Sequence, residues 1–105
     1  MSEISVEELA QWRREGRHFI VLDVREPFEL QMAKLEPALH IPMREIPSRL
    51  NEIERDAPVA VLCHHGGRSA HVAQYLQANG FAQAVNVAGG IDAWAKRVDP
   101  AVGSY

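Results

Sequence analysis

The chain has 105 residues, of which 47% are hydrophobic and 24% are charged. This length and composition predict one globular domain, residues 1–105, and exclude a disordered or low-complexity chain. The formal net charge is −3, which excludes the basic surface that nucleic-acid-binding proteins use, so we expect no nucleic-acid partner.

The first residues and the cysteine content bear on the compartment. Met1-Ser2-Glu3-Ile4 has no basic segment followed by an apolar one, and no apolar run in the chain has the length of a membrane span. We therefore expect neither a signal peptide nor a membrane partner. Cys63 is the only cysteine, so no internal disulfide can form, and we expect a cytoplasmic protein.

The chain opens with a helix signal and a strand signal. Ser5 and Glu8 form a capping box, which predicts a helix that begins at Val6 and stops before Gly16. Residues 19–23 form an apolar, β-branched run that ends at an aspartate. Such a run is typical of a strand that is buried on both faces.

Three short segments follow this strand. Glu26-Pro27 predicts a short helix through residue 30, because proline fits the first turn of a helix. Residues 39–41 predict a brief extended piece that runs into Pro42. Beyond it, apolar residues recur at i, i+4 and i+7, which predicts another helical segment; these residues are Ile46, Leu50 and Ile53.

The second half alternates strand and helix. Val59–Leu62 predicts a buried strand that leads directly into Cys63, and residues 85–87 predict another short strand. A helix is expected from Ser69 to a C-terminal signal at Gly80, and a last helix after Gly89-Gly90. The alternation predicts an α/β fold, a parallel sheet with helices on both faces. Such sheets place functional sites at the carboxyl ends of their strands, where Cys63 lies.

The segment Cys63-His64-His65-Gly66-Gly67-Arg68-Ser69 joins a strand end to a helix start through a glycine-containing loop. Gly66 and Gly67 allow positive φ and close backbone approach, so the amides of residues 64–69 can converge above the Cys63 sulfur. Arg68 adds a cation beside that point. These features should stabilise the thiolate, which is the nucleophilic form of cysteine.

The histidines of the loop raise the question of a metal site. Cys63, His64, His65 and His71 could supply ligands, but adjacent residues point in different directions and the spacing lacks the paired ligands of structural zinc. We therefore expect no metal. His64 and His65 are expected to form walls of the loop, with imidazoles that either contact substrate or face solvent.

Two charged residues follow the first buried strand. Asp23 and Arg25 could take part in catalysis from this strand end, or could hold neighbouring loops together through an ion pair or hydrogen bonds. We favour the second interpretation, which gives them a supporting role around the site.

The loop 63–69 resembles the active-site loop of the rhodanese superfamily, in which a catalytic cysteine begins a six-residue loop with glycine in its fourth place, here Gly66. The resemblance runs from near residue 4 to near residue 98, and only residues 33–38 depart from the family's frequent Gly-His-Ile-Gly-Ala run. Residues 99–105 also resemble the tail of rhodanese modules fused to enzymes that load sulfur onto carrier proteins. The other matching pieces are Leu22-Asp23-Val24-Arg25 with Glu26 and Glu29, His40-Ile41-Pro42, Ile46-Pro47, and the run from Asn86 through Gly89-Gly90 to Trp94.

The resemblance implies a single rhodanese-like α/β domain with a mostly parallel five-stranded sheet. It implies a sulfurtransferase in which Cys63 takes the sulfane sulfur of a donor such as thiosulfate as a persulfide. An acceptor such as cyanide, a thiol or a sulfur-carrier protein then removes that sulfur. Residues 64–69 would bind the substrate, Arg68 through the sulfonate oxygens of the donor. No metal or organic cofactor would be needed.

Two other interpretations stay open. Cysteine-dependent phosphatases and arsenate reductases of the related fold use a loop with arginine six positions after the cysteine, whereas Arg68 is five positions after Cys63. The shorter loop favours one sulfur atom over a tetrahedral oxyanion. A non-enzymatic sulfur-relay or binding module is the third interpretation, and the presence of Cys63 argues against an inert domain.

Overall fold

Five parallel strands form the centre of the computed structural model, which describes residues 2–105. The strand order in the sheet is β1-β5-β4-β2-β3, and every pairing is parallel. The predicted α/β fold with a five-stranded parallel sheet is confirmed. The strands are β1 (Glu3–Ile4), β2 (Ile20–Asp23), β3 (Leu39–His40), β4 (Val59–Leu62) and β5 (Ala84–Val87).

Helices cover both faces of this sheet. The α-helices are α1 (Val6–Arg14), α2 (Pro27–Leu30), α3 (Gly67–Ala78) and α4 (Gly90–Arg97), and 3₁₀ turns span Met43–Ser48, Leu50–Glu52 and Pro100–Val102. Apolar residues of α1 and α4 share one core with one face of the sheet. Those of α3 and the 3₁₀ turn at Met43–Ser48 share the other core. The longest of these helices has 12 residues, and none in the described part is long and apolar enough to cross a membrane.

The helix ends follow the capping signals of the sequence. Ser5 accepts a hydrogen bond from the Glu8 N–H at 3.1 Å, and Glu8 accepts one from the Ser5 N–H at 3.1 Å, so the capping box of α1 is confirmed. At the end of α3, the N–H of buried Phe81 donates to the Leu76 carbonyl at 3.0 Å. This bond is the long-range one of a Schellman motif, which ends the helix at the predicted glycine, Gly80.

Two elements differ from the sequence-based expectations. The segment with Ile46, Leu50 and Ile53 forms two 3₁₀ turns instead of a regular helix, because Pro47 lies inside it and has no N–H to donate. The short strand β1 was not expected, since its two residues precede the capping box of α1. It pairs with β5, where Ile4 aligns with Val87.

The central strand β4 sets the direction of the Cys63 side chain. Successive residues of a strand point to opposite faces, and β4 is buried along its whole length. Ala60 and Leu62 belong to the core under α1 and α4. Val61 and Cys63 belong to the core under α3. The sulfur therefore lies on the α3 side of the sheet, at the carboxyl end of its central strand.

Candidate active site

Cys63 is a free, buried cysteine immediately after β4, with 1% of its surface exposed. Within residues 2–105 its sulfur has two hydrogen-bonding neighbours. The Gly66 N–H donates to Sγ at 3.1 Å, and the hydroxyl oxygen of Ser69 lies 3.2 Å from Sγ. Both groups can donate to a sulfur anion, so the loop supplies a small cradle for negative charge.

Gly66 is the residue that closes the loop over the sulfur. Its φ is +106°, which L side chains rarely adopt, and a Cβ on it would lie 3.2 Å from the Gly89 nitrogen. Gly67 was expected to need the same freedom, but it begins α3 without a positive φ, and a Cβ there would meet nothing within 4 Å. Only the first glycine of the pair is therefore required by the backbone.

The start of α4 holds the other side of the loop. The Ile91 N–H donates to the Cys63 carbonyl at 2.9 Å, and the Asp92 N–H donates to the His64 carbonyl at 3.0 Å. A Cβ on Gly90 would overlap these two carbonyl oxygens, and its φ is +60°. The absence of a side chain at Gly90 allows the helix start to approach the loop this closely.

Ser69 and Asn86 form a buried polar pair behind the sulfur. Ser69, in the first turn of α3, is 0% exposed and donates its hydroxyl proton to Asn86 Oδ1 at 2.5 Å. Asn86 lies on β5, directly across from Val61 of β4. Asn86 was not among the expected site residues, although a polar residue inside an apolar strand beside the cysteine strand is a signal that could have identified it.

Arg68 does not stand alone as a cation. Its Nη1 donates to Glu29 Oε1 at 2.7 Å and its Nη2 donates to Glu29 Oε2 at 2.9 Å. Glu29 lies on α2 and is 5% exposed. The hydrogen bonds from Arg68, the Glu26 N–H and the Tyr105 hydroxyl hold the pKa of Glu29 at about 2, against the opposing effect of burial. The pKa of Arg68 is raised, chiefly by its hydrogen bonds to Glu29. The pair stays ionised at neutral pH.

The end of the chain folds back onto the loop. The Tyr105 ring stacks on the His64 ring with centroids 3.8 Å apart and planes 7° apart. His64 Nε2 lies 3.0 Å from the Tyr105 carbonyl oxygen. The Tyr105 hydroxyl donates to Glu29 Oε2 at 2.7 Å and accepts from Arg25 Nη1 at 3.0 Å. Neither Glu29 nor Tyr105 was among the expected site residues, and no local pattern in the tail marks Tyr105.

Asp23 and Arg25 form a buried ion pair at the end of β2. Arg25 is 0% and Asp23 is 1% exposed, and Arg25 Nη2 lies 2.7 Å from Asp23 Oδ2. Arg25 also donates to the carbonyls of Ala33 at 2.9 Å and Glu29 at 3.3 Å. Through these hydrogen bonds and the one to the Tyr105 hydroxyl, the pair connects the segment after α2 and the tail to the carboxyl end of β2.

The two histidines lie side by side. The rings of His64 and His65 have centroids 3.8 Å apart, so the expectation that adjacent residues point in different directions is wrong for this pair. Ligand atoms of His64, His65 and Asp92 lie within 4.8 Å of one another, while Lys96 binds the Asp92 carboxylate at 3.1 Å. His71 lies apart from this group, exposed on α3.

The groups around Cys63 can hold a sulfur anion. One backbone amide and one hydroxyl contact the Cys63 sulfur, the loop leads directly into the start of α3, and the start of α4 donates hydrogen bonds to the loop carbonyls. Such donors can stabilise negative charge on a reacting atom.

Comparison with known proteins supplies a family context. A family model described as a rhodanese-like domain matches residues 5–97. A sulfurtransferase of Allochromatium vinosum is 35% identical over 102 residues, which cover 97% of this chain and 95% of that protein. Thiosulfate sulfurtransferase GlpE of Vibrio cholerae is 35% identical over 85 residues, 81% of this chain and 80% of that protein. The crystal structure of a rhodanese-related protein from Thermoplasma volcanium has a TM-score of 0.85 at 35% identity, covering 93% of this chain and 94% of that one.

Proposed function

The chain belongs to the rhodanese-like sulfurtransferase family, and from that premise we propose that it transfers a sulfane sulfur through a persulfide on Cys63. The donor is a small sulfur compound such as thiosulfate. The acceptor is cyanide, a low-molecular-weight thiol or a sulfur-carrier protein. The reaction takes place in the cytoplasm, where a single free cysteine stays reduced.

The observation that supports this proposal most directly is the hydrogen bond from the Gly66 N–H to Cys63 Sγ at 3.1 Å. It places a backbone donor on the sulfur of a cysteine at the carboxyl end of the central strand. Ser69 adds a second polar contact at 3.2 Å. The loop therefore fits the needs of a thiolate nucleophile, whose charge must be stabilised before it attacks.

In the first half-reaction the Cys63 thiolate attacks the sulfane sulfur of thiosulfate. A Cys63 S–S bond forms, the sulfur–sulfur bond of thiosulfate breaks, and sulfite leaves with the bonding electron pair. The charge now lies on the terminal sulfur of the persulfide. In the second half-reaction the acceptor attacks this terminal sulfur, and the electron pair of the broken S–S bond restores the Cys63 thiolate.

Arg68 keeps its proposed role in donor binding, with one added requirement. Both of its terminal nitrogens already donate hydrogen bonds to Glu29. A sulfonate oxygen of the donor must therefore either displace one Glu29 oxygen from the guanidinium or accept a second hydrogen bond from the same nitrogen. Arg68→Ala should then lower kcat/KM for thiosulfate by roughly one to two orders of magnitude, the loss expected for a charge-assisted hydrogen bond. The reaction of the persulfide with cyanide should change less.

Intact-protein mass spectrometry tests the persulfide directly. Incubation with thiosulfate should add the mass of one sulfur atom, and a following incubation with cyanide should remove it and yield thiocyanate. Cys63→Ser should show neither change while keeping the circular dichroism spectrum of the wild type. The presence of a metal chelator should leave both steps unaffected. Thiocyanate formation by the Cys63→Ser variant would refute the mechanism.

The same protein preparation separates this proposal from its alternatives. Turnover of an aryl phosphate that disappears in Cys63→Ser would favour a phosphatase. A persulfide that forms but never reaches cyanide or a thiol would favour a relay module over a free-standing enzyme. We expect no phosphatase activity, because Arg68 follows Cys63 by five positions and the loop closes on one sulfur atom.

A further inference from the structure

A chain of hydrogen-bonding groups runs from the sulfur into the sheet. Cys63 Sγ lies 3.2 Å from Ser69 Oγ, and Ser69 Oγ lies 2.5 Å from Asn86 Oδ1. The exposed fractions of Cys63, Ser69 and Asn86 are 1%, 0% and 3%. The loss of any one of these hydrogen bonds would cost free energy, because buried polar atoms cannot replace a lost partner with bulk water.

The orientation of the Asn86 side chain is set at its other end. Its Nδ2 lies 3.4 Å from Glu3 Oε2, so the amide nitrogen faces a carboxylate and the amide oxygen faces Ser69. A rotated amide would turn its oxygen toward the Glu3 carboxylate, which is unfavourable. Asn86 therefore presents an acceptor to Ser69 and has no proton to give it.

The Ser69 hydroxyl has only one proton to donate. While that proton is on Asn86, Ser69 offers Cys63 only lone pairs, which suit a thiol that donates its own S–H. A thiolate has no proton, and it needs the Ser69 proton for itself. Asn86 and the Cys63 thiolate therefore compete for the same hydroxyl proton.

We propose that Asn86 is a positioning residue for the nucleophile, which holds the Ser69 hydroxyl proton away from Cys63 until the thiol ionises. On ionisation the thiol proton leaves to solvent, and the hydroxyl turns from Asn86 Oδ1 to Sγ. When Cys63 becomes a persulfide, the charge moves to the terminal sulfur and the hydroxyl returns to Asn86. This inference rests on the proposed function, which takes Cys63 as the nucleophile.

Other charged groups also surround the sulfur, and the test must leave them unchanged. The ion pairs of Glu29 with Arg68 and of Asp23 with Arg25 are close to neutral as units. His64 and His65 belong to the loop itself, and Glu3 contacts only the far end of the Asn86 amide. Further titratable groups on the elements packed around the loop are Glu26 at the start of α2, His71 and Tyr75 on α3, Asp92, Lys96 and Arg97 on α4, and Tyr105 in the tail.

The experiment measures the rate of Cys63 alkylation by iodoacetamide against pH, followed by intact mass. Asn86→Leu removes the competing acceptor, so the midpoint of the profile should move to lower pH by about half to one pH unit, the equivalent of one hydrogen bond. Asn86→Ala replaces the leucine variant if that variant does not fold.

A double-mutant cycle shows whether the effect passes through Ser69. Ser69→Ala alone should move the midpoint to higher pH, and adding Asn86→Leu to it should cause no further movement. Two outcomes would overturn the proposal: an Asn86→Leu profile that coincides with the wild type, or an Asn86→Leu shift of equal size with and without Ser69→Ala. The alkylation needs no sulfur donor, so a failure to form the persulfide would refute the proposed function and leave this result interpretable.

Discussion

The Glu29 carboxylate and the Arg68 guanidinium face each other through two parallel hydrogen bonds, at 2.7 Å and 2.9 Å. This geometry joins α2 to the first turn of α3, two elements that are far apart in sequence. The Glu29 carboxylate also neutralises the positive charge of Arg68 beside the loop. The hydrogen-bonding neighbours of the Cys63 sulfur therefore lie in a site without a large net positive charge.

The Glu29–Arg68 ion pair should make the free energy of unfolding fall as the pH becomes acidic. The pKa of Glu29 is lowered from 4.5 to about 2 in the folded protein, so its contribution to stability is complete above pH 4.5 and is lost as the pH falls toward 2. Urea unfolding across this range should show a loss on the order of 2–3 kcal/mol from this group. Glu29→Gln should be less stable at pH 7 and should lose less on acidification. Glu7→Gln, in an exposed pair with Arg97, is the control. Equal acid slopes for wild type and Glu29→Gln would contradict the assignment.

The two glycines of the loop should respond differently to the same substitution. Gly66→Ala places a Cβ on a residue with φ of +106°, 3.2 Å from the Gly89 nitrogen, and should cost about 1–3 kcal/mol together with most of the activity. Gly67→Ala should be close to the wild type, because its Cβ meets nothing within 4 Å. Urea unfolding and the thiosulfate assay measure both effects. Similar losses in both variants would show that the loop needs flexibility at each position.

Removal of one partner from the buried Asp23–Arg25 pair at the end of β2 should destabilise the protein strongly. Asp23→Asn leaves the charge of fully buried Arg25 without its carboxylate, so the free energy of unfolding should fall by about 3–5 kcal/mol. Lys96→Gln removes an exposed partner of Asp92 and should change stability little. Chemical unfolding at neutral pH measures both. A small effect of Asp23→Asn would mean that the other acceptors of Arg25, the carbonyls of Glu29 and Ala33 and the Tyr105 hydroxyl, are enough to stabilise its buried charge.

Tyr105 makes separable contacts through its hydroxyl and its ring. Tyr105→Phe removes the hydrogen bonds to Glu29 and from Arg25 and should cost about 1 kcal/mol, while the stack on His64 stays. Tyr105→Leu should also lose the stack. The ring-current shift that Tyr105 imposes on the His64 protons in the NMR spectrum should therefore persist in Tyr105→Phe and vanish in Tyr105→Leu, which leaves only the contribution of the His65 ring. A shift absent from both variants would indicate that the hydroxyl positions the ring.

Local signals predicted most of the elements, because caps, prolines and apolar runs act over a few residues. The Ser5–Glu8 box, the buried strand Val59–Leu62 and the end of α3 at Gly80 are of this kind. The 3₁₀ turns around Pro47 show where the spacing of apolar residues is not enough. The i, i+4, i+7 spacing predicts a helix, but it takes no account of the backbone N–H that proline lacks. Strand β1 was missed because two residues contain too little pattern to compete with the adjoining helix.

The position of Cys63 at a strand end and the loop that follows it were predicted from the sequence, whereas the distant residues that contact this loop were not. Cys63 and Gly66 are only three positions apart in sequence, so a tight turn between them brings the Gly66 N–H close to the sulfur. Glu29 and Asn86 reach the site from distant segments, and the sequence does not show which acidic or amide side chain will face Arg68 or Ser69. The sequence shows the positive charge of Arg68 beside the loop, whereas the neutralisation of this charge by Glu29 depends on tertiary structure.

The two hydrogen bonds from the start of α4 to the carbonyls of Cys63 and His64 also concern the order in which this molecule loses its structure. They join the loop to a helix near the end of the chain, so the loop has its working geometry only while α4 is docked. A transient detachment of α4 can leave strands β2 and β4 paired and yet remove the donors to the carbonyls of Cys63 and His64. The geometry of the loop therefore depends on the docking of α4, so a probe at Cys63 should report on that docking more directly than the signal of the sheet does.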